Sequence, residues 1–205
     1  MFPIPIQRSM VFLRKTELLL LKALVKDVEY RGAVKPENIY LELSNYRYVG
    51  EHYSDAPQAA KVLEQLGLVK LKKNNNSWYV AINPKIAREA VRELKAVSYG
   101  FKPMERRIVT LISLAMRYER PIELSDAREI IGSNGPSMRF IMAKSDMMKN
   151  ALVDGRHTYQ YTTKGLKIAQ AWLDFSRLMI SHHGGAMPRQ FVVQETSSLP
   201  SLLSV

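Results

Sequence analysis

The sequence predicts a mainly α-helical fold with small β-hairpins, an α+β chain built from two copies of one unit. Three observations predict it. Apolar residues recur at three- and four-residue steps through most of the chain, and two short alternating stretches interrupt them. Those stretches, "VKLKKNNNSWYVAI" and "ALVDGRHTYQYTT", each follow three helical segments and precede one more.

In the first copy, a strongly apolar helix is expected from about Lys15 to Lys26. A second begins at Pro36, a favourable first-turn residue, and runs through Ile39, Leu41 and Leu43. The third starts near Ser54, whose hydroxyl suits an N-cap, and buries Ala59, Val62, Leu63 and Leu66. Gly67 permits the left-handed turn that ends it. Leu68 to Lys72 and Trp78 to Ile82 read as strands with "KKNNNS" as a solvent-facing tip, because Asn tolerates positive φ and Lys resists burial. A helix after Pro84 then presents Ile86, Ala90, Leu94 and Val97 on one side.

The second half repeats the order. A helix from Met104 to about Tyr118 carries Ile108, Leu111, Ile112 and Ala115 on one face. A short helix from Ser125 to Ile131, the turn "GSNG" and a helix from Pro136 to Asn150 follow. The hairpin is expected from Ala151 to Thr163 with "DGRH" at its tip, and a long helix from Lys164 to about Ile180. Matching Gly67-Leu68-Val69 with Ala151-Leu152-Val153, and Tyr79 with Tyr159, makes the second hairpin four residues shorter than the first. The organisation is then an N-terminal arm (1–14), a first unit (15–99), a second unit (100–183) and a tail (184–205).

Helix, short strand (Val34 or Ile122), helix, helix and two-stranded wing is the order of the winged-helix superfamily. Both "LEQLGLVKLKKNNNSWYV" and "MMKNALVDGRHTYQYTTKG" resemble the end of a recognition helix running into its wing, and "YQYTTKGLKIAQAW" is similar to the wing exit of bacterial and archaeal regulators. The resemblance covers roughly residues 15 to 98 and 104 to 180, and it implies two tandem winged-helix domains that bind DNA. One departure is "NYRYVGEHY", residues 45 to 53, longer than the three or four residues that usually separate such helices. In that loop, packing of Tyr46, Tyr48 and Tyr53 onto the domain competes with stacking or phosphate contact beside Arg47 and His52.

Charge supports a polyanionic partner. The 205 residues carry a formal net charge of +11. It is shared between the halves, with 16 Lys/Arg against 10 Asp/Glu in residues 1–100 and 14 against 9 in residues 101–205. A basic tail would have concentrated it. With 46% hydrophobic and 24% charged residues, the chain reads as globular rather than disordered. No apolar run reaches the roughly 18 to 20 residues of a membrane span. The opening "MFPIPIQRSMVFLRK" lacks the pattern of a secretion signal, and the absence of Cys excludes disulfides and Cys-based zinc sites. A cytoplasmic, DNA-associated protein is expected.

The family resemblance implies that the third helix of each unit enters the major groove while the wing meets phosphate or the neighbouring minor groove. In the first unit this nominates Ser54, Gln58, Lys61 and Gln65 on the helix, and Lys70, Lys72, Lys73, Asn74, Asn75 and Asn76 on the wing. In the second it nominates Ser137, Arg139, Lys144 and Lys149, with Arg156 and His157 on the wing. Arg suits guanine O6 and N7, whereas Lys and Ser serve phosphates or bases. The competing reading of any such hairpin is that turns favour Asn and sheet edges need charge.

Enzymatic signals are poor. None of His52, His157, His182 and His183 stands four residues from another, and "HHGG" reads as a helix end rather than a metal site. No catalytic group, metal or cofactor is expected. Leu166, Ala169, Trp172, Leu173, Ser176, Met179 and Ile180 form a stripe suited either to a homodimer through helix 164–180 or to packing within the chain. The "FVV" of the tail is a candidate for an added strand. The function expected is a sequence-specific double-stranded DNA-binding protein, a transcription regulator of a prokaryote, plasmid or virus. The alternatives are a plasmid or viral replication-initiation or partition protein, and a tandem winged-helix protein-interaction scaffold.

Overall fold

A computed structural model describes residues 9–32, 39–52, 54–98, 103–118, 122–123, 146–185 and 192–194. These residues form a mixed α/β fold, with helices and, among the described residues, three small antiparallel sheets. In chain order the described elements are β1 (Ser9–Val11), α1 (Lys15–Tyr30), β2 (Leu41–Glu42), a 3₁₀ segment (Leu43–Val49), α2 (Asp55–Gln65), β3 (Val69–Asn74), β4 (Ser77–Ile82), α3 (Pro84–Glu93) and a 3₁₀ turn (Leu94–Ala96). They continue with α4 (Pro103–Tyr118), β5 (Ile122–Glu123), β6 (Met148–Val153), β7 (Arg156–Tyr161), α5 (Thr163–His182) and β8 (Val192–Gln194).

Two of the sheets are copies of each other. The first has the order β2-β4-β3 and the second β5-β7-β6. Leu41 faces Val80 in one, and Ile122 faces Tyr159 in the other. Each hairpin pairs two six-residue strands across a two-residue turn. Asn75 (φ 50°) takes the left-handed conformation in the first turn, while Asp154 (φ 50°) and Gly155 (φ 74°) take it in the second. The expected shortening of the second hairpin is therefore incorrect. Its strand begins at Met148, so matching Ala151-Leu152 to Gly67-Leu68 had shifted the pairing; Gly67 corresponds instead to Asp146, which is also left-handed at φ 54°.

Hydrogen bonds repeat with this alignment. Asn83 donates its backbone N–H to Leu68 O (2.9 Å) and its side-chain amide to Gly67 O (3.2 Å). Thr162 does the same in the second half, donating its N–H to Met147 O (2.9 Å) and its hydroxyl to Asp146 O (2.7 Å).

Several helical expectations need correction. The helix expected from Pro36 through Leu43 is replaced, over its described part, by strand β2 and the 3₁₀ segment, because the backbone of Leu41 and Glu42 is taken up by β4. The short strand nominated at Val34 falls on a residue outside the described ones, and the strand that pairs with β4 is at Leu41–Glu42. The helix expected to end at Asn150 has given way to β6 from Met148 onward, so Lys149 sits on a strand. Arg156 and His157 belong to β7 rather than to the tip, which is Asp154-Gly155. The helix 125–131, the "GSNG" turn and residues 136–145 lie outside the described residues.

The helix end at Gly67 (φ 71°) follows the expected logic. Leu68 N–H reaches Leu63 O (3.0 Å) and Gly67 N–H reaches Glu64 O (2.8 Å), a Schellman closure with Leu63 and Leu68 both buried. The N-terminal end of α2 differs from expectation. Ser54 makes no side-chain cap; the Asp55 carboxylate accepts the N–H groups of Glu51 (2.8 Å) and His52 (2.9 Å) instead.

The core is continuous across both units. At its centre Trp172 of α5 meets Phe12 (ring centroids 5.2 Å apart) and Phe175 (5.7 Å). Met10 to Leu13 are buried, so this part of the expected N-terminal arm is core. Val11 donates its N–H to the buried Ser176 hydroxyl (2.9 Å), which donates in turn to Trp172 O (2.6 Å). Strand β1 pairs with β8 of the tail, placing Val11 opposite Val192. Of the stripe nominated either for a homodimer or for packing within the chain, Ala169, Trp172, Ser176 and Met179 are buried inside the chain, Leu173 and Ile180 are half-buried and Leu166 is exposed.

Candidate nucleic-acid interface

The first hairpin and α2 meet on the outside of the first sheet. β3 is an edge strand, and its Leu71 N–H is taken by Glu64 Oε1 of α2 at 2.7 Å. This bond docks the helix beside the hairpin and removes an exposed donor from the sheet edge. Ser54 at the N-cap and Gln58, Lys61 and Gln65 of α2 are all exposed, at steps of three and four residues that keep them in one stripe.

The cross-strand register joins that stripe to the hairpin. Lys73 pairs with Trp78 across the ladder. Its Nζ lies 5.8 Å from the Trp78 ring centroid, and Lys61 Nζ of α2 lies at the same distance from the same ring. A half-buried indole thus sits among two ammonium groups drawn from different elements. Each contact is worth about 0.5–1 kcal/mol at an exposed site. On the other face of the hairpin, Lys72 Nζ lies 5.7 Å from the ring of Tyr40, itself exposed. Lys70 is exposed on the same side of the strand, two residues away.

Among the described residues, none of Lys61, Lys70, Lys72 and Lys73 forms an ion pair; the carboxylates closest in sequence, Glu64 and Asp55, accept backbone N–H groups. Asn74, Asn75 and Asn76 complete an exposed tip. All ten nominated residues of the first unit are therefore on the surface. Trp78, Tyr40 and Glu64 were missed as participants. The Lys73–Trp78 pairing follows from the two-residue turn, whereas Lys61 over the same ring depends on how α2 docks.

The second hairpin is chemically different. Lys149 and Arg156 are exposed, and the side chain of His157 lies outside the described residues, as do Ser137, Arg139 and Lys144. Where β3 has Lys72 and Lys73, β6 has Ala151 and Leu152, the latter 66% exposed. In the "NYRYVGEHY" segment Tyr46 is buried and donates to Asp27 Oδ2 at 2.6 Å, so this ring packs; Tyr48 is exposed, and Tyr53 lies outside the described residues.

Among the described residues no group of three His, Asp or Glu gathers as a metal site, and no helix is long and apolar enough to cross a membrane. Comparison with protein-family models, curated proteins and solved structures found no match.

Proposed function

We propose that the chain is a sequence-specific double-stranded DNA-binding protein of the winged-helix class, acting as a transcription regulator of a prokaryote, plasmid or virus. In this reading α2 is the recognition helix of the first unit and the β3–β4 hairpin is its wing. The observation that carries it is the convergence of Lys61 and Lys73 on Trp78, which makes the helix stripe and the hairpin one cationic surface. Gln58 and Gln65 supply amide groups for base edges, and the lysines supply phosphate contacts.

The test is duplex affinity as a function of salt. Four phosphate contacts from Lys61, Lys70, Lys72 and Lys73 give a slope of log K on log salt of about −3.6, or roughly 100-fold between about 50 and 200 mM. An affinity indifferent to salt over that range defeats the proposal. A protein-interaction scaffold is the alternative reading. Recovery of a stoichiometric protein partner without retained nucleic acid supports that reading instead.

A further inference from the structure

The end of α3 and the 3₁₀ turn that follows it pack against α5, so that the last helix of one unit meets the last helix of the other. The packing leaves space. An open groove of about 760 Å³ runs between residues 92–96 and residues 166–174, within the roughly 300–1,000 Å³ usual for small-molecule sites. Ala96 and Ala171 line it and end at Cβ, which keeps it from closing. Leu166 gives it an apolar wall; this residue of the α5 stripe is left 36% exposed by the shared core.

The charged groups at the rim are unevenly paired. Arg92 is engaged by Glu89 and Glu93, each at 3.3 Å. Asp174 is engaged by Arg177 at 3.0 Å and by the Gln170 amide at 2.9 Å. Both carboxylates that line the groove therefore already face a cation. Lys95 and Lys167 are exposed and, among the described residues, have no acidic partner. One comes from the 3₁₀ turn and the other from α5, which leaves an apolar floor flanked by two uncompensated ammonium groups.

We infer that this groove binds a small amphipathic carboxylate, with its hydrocarbon part on Leu166, Ala96 and Ala171 and its head met by Lys95 and Lys167. A neutral ligand leaves both ammonium groups without a counter-charge, and a wholly hydrophilic anion leaves the apolar wall in water. The site asks nothing of the DNA-binding reading, whose residues lie on α2 and the first hairpin.

Octanoate tests this beside 1-octanol and octyltrimethylammonium, which carry the same chain on a neutral and a positive head. Titration of the full chain, followed by backbone amide shifts, is expected to place octanoate at Lys95, Ala96, Leu166 and Lys167. It should bind about tenfold more tightly than 1-octanol, since each exposed ion contact is worth a few-fold, and octyltrimethylammonium should be weakest. Lys95→Gln combined with Lys167→Gln removes the preference for octanoate and, at two exposed positions, leaves the melting temperature unchanged. Ala96→Phe fills the groove and weakens all three ligands together. Octanoate that does not bind, binds no better than 1-octanol, or keeps its preference in the double variant overturns the site. So does a dimer in sedimentation that Leu166→Ser dissociates, because a second copy of the chain then covers the groove.

Discussion

Asn83 and Thr162 make the same pair of hydrogen bonds in the two halves of the chain, each gripping the turn that opens its hairpin through one backbone and one side-chain donor. Thr162 also accepts Gly165 N–H at 3.1 Å as the N-cap of α5. Thr162→Val keeps the shape and loses both hydroxyl bonds. It is expected to lower unfolding free energy by about 1–2 kcal/mol in denaturant titrations, the range for a lost cap. An unchanged midpoint contradicts the role given to this hydroxyl.

Gly165→Ala sets two effects against each other. Alanine gains about 1 kcal/mol of helix propensity over glycine. Its methyl also collides with Met147 O, a backbone atom with little freedom to retreat. Overpacking costs of about 1–3 kcal/mol are typical, and a backbone clash belongs at the upper end, so net destabilisation is expected. A variant that melts higher than the parent means the contact relaxes freely.

On the proposed interface, Lys61→Ala and Lys73→Ala are each expected to take about 0.9 from the magnitude of the salt slope and to weaken binding similarly across sequences. Gln58→Ala should instead blur the preferred base at one position with little change in slope. Titrations of selected and scrambled duplexes at several salt concentrations separate the two behaviours. Equal effects from Lys and Gln substitutions remove the distinction between phosphate and base contacts.

Burial pushes the Glu17 carboxyl above its ordinary 4.5, outweighing the Arg14 N–H and the charges of Arg14 and Arg106, which favour ionisation. A raised folded-state value means that the folded chain binds its proton more tightly than the unfolded one. That stabilisation is complete below pH 4.5 and is lost as pH rises through the folded value. Glu17→Gln retains an acceptor for Arg14 N–H without the charge, so its stability relative to the parent should climb as pH rises from about 4 to 7. A difference that stays flat over this window shows that the carboxylate is relieved by other means.

Tyr46 gives an alkaline counterpart. Burial first, and then the bond to Asp27, push its phenol well above the usual 10.0. The stabilisation is present below pH 10 and disappears as pH rises through the folded value. Tyr46→Phe is expected to cost about 1–2 kcal/mol at neutral pH, because Asp27 loses a donor, and to flatten the alkaline loss seen in the parent.

Much of the fold was legible locally. Ile86, Ala90, Leu94 and Val97 are all buried as expected, although the α-helix ends at Glu93 and gives way to a 3₁₀ turn over Leu94–Ala96; α1 and α4 lie where periodicity puts them, and both hairpins form. The surface position of Lys70 to Asn76 was legible too, since turn residues and charge place a hairpin tip in water. The errors fell where a distant partner decides. Leu41 and Leu43 fit a helix by spacing, but Val80 supplies Leu41 with a strand partner. Lys149 fits a helical spacing, but the chain turns left-handed at Asp146 and enters β6 at Met148, and no glycine announces that turn in the sequence. The stripe on α5 was visible, although its periodicity could not say whether another chain or this chain covers it.

The sequence by itself determined the two hairpins with a helix after each, the helix stop at Gly67, the tip of the first hairpin and the excess of positive charge, because periodicity, capping and turn chemistry act within a few residues. Only the tertiary structure decided that one core spans both halves, that β1 and β8 close on each other, and that Lys61 and Lys73 meet at Trp78. These depend on burial and pairing between residues far apart in the chain, where a local pattern says which face is apolar but not what will cover it.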